Sequence, residues 1–189
     1  MALQFEPASE AVGDICTGIQ LKDVTEGEFD AIREKFFERG ALFFRDQDMT
    51  PEDHIAFAEC WAEIDINRFF APVPDYPQIA QVLKEADQKT NIGGGWHTDH
   101  SYDDVPAMGS ILRAIELPPS GGDTLFASVQ AAYDGLSDDE KEAIEPLKGK
   151  HSSRHIFGYD AAEANAAGDR FGNADQANHT HYCCAGYEY

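Results

Sequence analysis

Pro118-Pro119-Ser120-Gly121-Gly122 fits neither a helix nor a strand, and it constrains the chain on both sides. Its prolines remove backbone donors and its glycines accept positive φ, so the segment is a turn. Met108 to Leu117 before it and Thr124-Leu125-Phe126 after it read as extended segments that such a turn lets approach closely. Two further apolar runs, Ala41-Leu42-Phe43-Phe44 and Ile79 to Leu83, also read as short strands.

Helix signals are confined to two regions. Thr25-Glu26-Gly27-Glu28 and Ser137-Asp138-Asp139-Glu140 are capping boxes, and Thr50-Pro51-Glu52-Asp53 starts a helix with Pro in its first turn. Phe29, Ile32, Phe36 and Phe37 share the first helix's apolar face, and Gly40 ends it. Ile55, Ala58 and Trp61 form the inner face of the next, and Ser128 to Leu136 and Ser137 to Leu147 are helical as well. Phe69 to Pro77 and Asn91 to Gly95 read as loops. The pattern predicts a mixed, mainly β chain, a β-core with flanking helices rather than a βαβ array.

The chain has 189 residues, 42% of them hydrophobic, enough for one domain with a core. A net charge of -21, from 35 acidic and 14 basic residues, argues against nucleic acid or anionic membrane as a partner. It also means that an anionic substrate needs a local Arg cluster or a metal to offset the field. No apolar run reaches the ~18–20 residues of a membrane helix, and Met1 to Pro7 lacks a signal-peptide pattern, so a cytoplasmic location is expected. Cys16, Cys60, Cys183 and Cys184 form no CxxC pair, and Cys16 and Cys60 read as ordinary buried thiols.

His97-Thr98-Asp99 is an HxD triplet. In a strand both side chains share a face, with Cα atoms ~7 Å apart, and an imidazole and a carboxylate can converge on one cation. With seven His and 19 Asp in the chain, about one such triplet arises by chance, so the surrounding residues decide.

Those residues are Leu42-Phe43-Phe44-Arg45-Asp46-Gln47, Trp96-His97-Thr98-Asp99, Met108-Gly109-Ser110-Ile111-Leu112, Glu116-Leu117-Pro118-Pro119-Ser120-Gly121-Gly122-Asp123-Thr124 and Ala131-Ala132-Tyr133-Asp134-Gly135-Leu136-Ser137. In this order and at these spacings they resemble the TauD/TfdA dioxygenases, from about Val12 to about Ala177. The resemblance implies a double-stranded β-helix (jelly-roll, cupin-like) core. It implies iron(II) held by His97, Asp99 and a distal His, and 2-oxoglutarate as co-substrate, touched by Thr124 and met by an Arg. Dioxygen and a small-molecule substrate complete the reaction, with succinate and carbon dioxide as products. Among neighbouring residues, His100 reads as structural or as a support for the metal ligands, Trp96 as packing, Arg45 as half of an ion pair and His54 as exposed, while Tyr102, Asp103 and Asp104 lie in the loop over the site.

The chain departs from the family in two ways. The His, Tyr and Asn that hold taurine in taurine dioxygenases fall at Asn67, Phe70 and Gly93, none of which matches. Family chains continue well beyond this length, and the distal His and the Arg come from that continuation. Residues 1–177 therefore read as an incomplete dioxygenase domain whose core lacks its C-terminal part, and 178–189 as an atypical tail of the kind a frameshift leaves. On this reading the chain alone is inactive. The alternatives are a non-catalytic remnant and a different metal enzyme completed by His155 or His181. A homo-oligomer remains open.

Overall fold

The computed structural model describes residues 2–85, 88, 95–151, 175–176 and 184–188. Strand β1 (Gln4–Pro7) pairs antiparallel with β2 (Asp14–Thr17). Helix α1 (Glu26–Arg39) then carries the chain to β3 (Leu42–Phe44), which pairs parallel with β2. One βαβ crossover is thus present where the sequence pattern argued against that arrangement. The anticipated devices bound α1. Thr25 and Glu28 form a reciprocal capping box, and Gly40 closes the helix in the left-handed region at φ 72°.

Helix α2 (Pro51–Glu59) starts as expected, with Thr50 and Asp53 as a capping box. Its core residue is Phe57 rather than the anticipated Ile55. Leu21, Phe29, Ile32, Met49 and Phe57 form the buried centre, and Trp61 packs against it. The Trp61 ring meets Phe29, Phe36 and Phe57 edge-on at 5.1–6.2 Å. Phe37, placed on this face by periodicity, is 45% exposed. His54 is half-buried rather than exposed, with its Nε2 3.1 Å from the Ile111 carbonyl, and burial pushes its imidazole below the usual range. Cys16 is buried as expected, whereas Cys60 is exposed.

Phe69 to Pro77 is not all loop. Strands β4 (Pro72–Val73) and β5 (Tyr76–Ala80) form a hairpin through Pro74 and Asp75, with Asp75 at φ 68°. The second strand starts three residues before the anticipated Ile79. Met108 to Leu117 forms no strand, and Leu112, Ile115 and Leu117 are 66–78% exposed. A strand needs a second strand to pair with, and no other strand pairs with this segment among the described residues.

After the turn, with Gly121 at φ 74° and Gly122 at φ 77°, strand β6 (Asp123–Ala127) begins. Helices α3 (Val129–Asp134) and α4 (Asp138–Ile144) follow, capped by Ser128 and Ser137. The short strands β7 (Gly149–Lys150) and β8 (Asp175–Gln176) pair with each other. Strand β9 (Cys184–Glu188) pairs antiparallel with β6, setting Tyr187 opposite Thr124. Part of the tail that reads as atypical thus belongs to a sheet. No described helix is long and apolar enough to cross a membrane.

Gly18, just after β2, has φ 78°, and a Cβ there would lie 2.2 Å from the Ala2 carbonyl oxygen. Both the backbone conformation and the contact exclude a side chain. Gly18→Ala is expected to lower stability by about 2–4 kcal/mol, read as a shift in the urea midpoint at unchanged slope. A shift worth less than ~0.5 kcal/mol would show that the β1 start moves aside freely.

Candidate metal centre

The HxD segment lies in a short extended stretch that turns immediately. His97 is a single bridge residue, and Asp99 and His100 lie in a turn, so the anticipated strand is reduced to one position. The two side chains still converge, with His97 Nε2 3.2 Å from Asp99 Oδ1. His97 Nδ1 lies 2.7 Å from the Gly95 carbonyl oxygen, which can only accept, so Nδ1 carries the proton. That tautomer leaves the Nε2 lone pair facing a carboxylate oxygen, and two acceptors at this distance repel unless a proton or a cation lies between them. Ligands bound cis at about 2.1 Å from one cation are about 3.0 Å apart, close to the observed separation.

The surroundings support the pair. Ser110 donates its hydroxyl to Asp99 Oδ2 at 3.4 Å, so the carboxylate is contacted on both oxygens. The side chains are 26% exposed for His97 and 59% for Asp99, which leaves an open side for further ligands. Among the described residues no third His, Cys, Asp or Glu joins them. His155 and His181 lie outside the described residues, as does Gly93. Thr124 is half-buried on β6 and shares a strand face with Phe126, whose ring contacts Phe43 at 5.7 Å. No hydrogen bond joins Thr124 to His97 or Asp99 among the described residues. A 240 Å³ cavity between the end of α1 and the start of α3, lined by Arg39, Ser128 and Gln130, shares no residue with the pair.

The other residues around the motif divide differently from expectation. His100 lies in the turn rather than in a strand, so alternation does not set its direction, and its Nδ1 lies 2.9 Å from Asp103 Oδ2 and 3.5 Å from Asp65 Oδ2. Trp96 is 60% exposed rather than packed. Tyr102 and Asp103 are buried rather than set over the site, and only Asp104 is exposed. Burial, with Asp103 beside it, pushes the Tyr102 phenol up to about 12, so it stays neutral at physiological pH. Arg45 is exposed and makes no ion pair among the described residues. The sequence reading missed the Gly95 carbonyl and Ser110. Ser110 was visible only as a small polar residue within an apolar stretch.

Asn67, one of the positions aligned with a taurine-binding residue, is occupied locally. Its Oδ1 accepts the N–H groups of Phe69 and Phe70, at 2.8 and 3.1 Å, in an Asx turn.

Residues 4–185 match the family described as taurine catabolism dioxygenase TauD, TfdA family. The chain is 31% identical over 158 residues to an (S)-phenoxypropionate/alpha-ketoglutarate-dioxygenase of Sphingobium herbicidovorans, covering 80% of this chain and 54% of that protein. It superposes on a crystal structure of a taurine dioxygenase from Burkholderia xenovorans with a TM-score of 0.70 at 30% identity, covering 79% of this chain and 53% of the other. It also resembles AAD-2, solved with Mn(II) and N-oxalylglycine, with a TM-score of 0.68 at 26% identity, covering 88% of this chain and 61% of the other. The chain thus spans about half the length of the curated relative it matches. The taurine dioxygenase fold is a jelly roll, and these strands and flanking helices are the part of it present here. The match runs through the HxD turn and past residue 177 into β9. The chain belongs to the TauD/TfdA family of dioxygenases.

Proposed function

We propose that this chain carries the metal-binding part of an iron(II)- and 2-oxoglutarate-dependent dioxygenase that hydroxylates a small anionic organic substrate. The observation that carries the reading is His97 Nε2 facing Asp99 Oδ1 at 3.2 Å, with the imidazole tautomer fixed by Gly95. When bound, iron(II) couples dioxygen to 2-oxoglutarate, giving succinate, carbon dioxide and the hydroxylated substrate. His97 then serves as a neutral nitrogen donor and Asp99 offsets one of the metal's charges. Ser110 holds the second Asp99 oxygen and limits rotation of the carboxylate. Thr124 offers its hydroxyl to a 2-oxoglutarate carboxylate, a role supported by the family motif and the β6 start after Gly122. A bound metal also supplies the positive charge that an acidic chain needs near an anion.

The substrate is an aryloxy or other small organic acid rather than taurine. The phenoxypropionate relative supports this class, as does Phe70, whose side chain offers a sulfonate no donor. The test is succinate formation from 2-oxoglutarate with iron(II) and oxygen, with (S)-2-phenoxypropionate or taurine added. We expect iron-dependent succinate from a protein that carries the whole family domain, stimulated more by the aryloxy acid and absent in His97→Ala, and none from residues 1–189 alone. Succinate release indifferent to His97 would overturn the metal assignment, and taurine as the better substrate would overturn the specificity.

A further inference from the structure

We propose that Asp103 is a positioning residue for the metal centre, acting through His100 on the orientation of Asp99. The proposal rests on the reading of His97 and Asp99 as ligands. His100 follows Asp99 directly and has φ 55°, a left-handed conformation that a non-glycine residue adopts only under strain. Something must hold it there. The Asp103 backbone N–H donates to the His100 carbonyl at 3.0 Å, closing the turn, and the Asp103 carboxylate meets the His100 ring at 2.9 Å. Both groups of one residue therefore fix the residue that ends the extended stretch immediately after Asp99.

Asp103 is itself anchored. Arg68 Nη2 donates to its other oxygen at 3.0 Å, and both side chains are mostly buried, 24% and 12% exposed. The flanking residues are equally fixed. Tyr102 is buried against Phe69 at a ring distance of 6.1 Å, and Ser101 Oγ lies 3.0 Å from His151 Nδ1. The backbone carrying the half-exposed Asp99 is thus held from beneath by a buried ion pair and an aromatic contact. Fixing a ligand through its neighbours typically controls metal affinity ~10–100-fold.

Asp65, His100 and Asp103 also lie within 4.8 Å of one another, a spacing that could hold a cation. The Arg68 guanidinium on Asp103 already supplies positive charge there, which favours a structural network over a second metal.

The experiment is Mn(II) binding by electron paramagnetic resonance on wild type, His97→Ala, Asp103→Asn and His100→Gly, with unfolding measured in chelator. The expected result is a Kd raised ~10–100-fold in Asp103→Asn and in His100→Gly, with a broadened spectrum of the bound ion. Glycine adopts φ 55° without strain, so His100→Gly isolates the lost tether and decides the matter should Asp103→Asn fail to fold. Unchanged Mn(II) affinity in His100→Gly overturns the positioning role while leaving the metal site intact. Binding that survives His97→Ala but vanishes in Asp103→Asn places the cation among Asp65, His100 and Asp103 and also overturns it. Absence of His97-dependent binding in wild type removes the underlying metal reading itself.

Discussion

Replacing His97 by alanine is expected to weaken Mn(II) binding by more than ~100-fold while leaving the metal-free protein nearly as stable as before. Few donors are available. Among the described residues only His97 and Asp99 face each other at this turn, so removing the imidazole leaves a single carboxylate and loses the chelate. The stability cost is small because the His97 side chain is 26% exposed and its one backbone partner is the Gly95 carbonyl. Losing one such hydrogen bond costs about 0.5–1.5 kcal/mol. Titration with Mn(II) at fixed pH, alongside urea unfolding in chelator, reads both quantities. An unchanged Mn(II) affinity would show that the pair is a surface contact, and a large stability loss that the imidazole is a structural group.

The spacing of His97 and Asp99 anticipated their meeting, but for a reason only partly right. Period-two alternation puts both on one side, yet a strand also needs a partner, and the turn at Asp99 and His100 leaves His97 as a single bridge. The left-handed His100 does not show in the local pattern, because the contacts around it come from Asp103 and, through Asp103, from Arg68, 35 residues away from Asp103 in sequence. The caps of α1, α2 and α4 were legible because each is a contract between residues three apart. The β4–β5 hairpin was missed although Pro74-Asp75 is a turn signal, because the surrounding aromatics and prolines masked two short strands. The expected strand over Met108 to Leu117 failed for the opposite reason. Its composition suits a strand, but pairing is a tertiary property that no local run encodes.

The same limit applies to Arg39, which the sequence presents only as a basic residue in the last turn of a helix. In the structure it fastens α1 to the loop before β2. Its Nε donates to Asp14 Oδ1 at 2.7 Å, and its Nη atoms donate to the carbonyls of Ser9 at 2.7 Å, Gly13 at 3.3 Å and Glu10 at 3.4 Å. The side chains are 17% and 5% exposed, so the Asp14 carboxylate has given up water and depends on the guanidinium for compensation. Arg39→Met keeps much of the apolar stem and removes the charge. We expect it to cost about 3–5 kcal/mol, because it strands a buried carboxylate and leaves carbonyls without their donor. Asp14→Leu added to Arg39→Met should restore much of that loss, since an apolar pair of similar volume no longer carries a desolvated charge. Urea unfolding of wild type and both variants measures the cycle. If Arg39→Met costs less than ~1 kcal/mol, water reaches Asp14 in the folded protein and the pair is no clamp. If the double variant is no more stable than Arg39→Met, the Ser9, Glu10 and Gly13 carbonyl contacts, rather than the stranded charge, carry the effect.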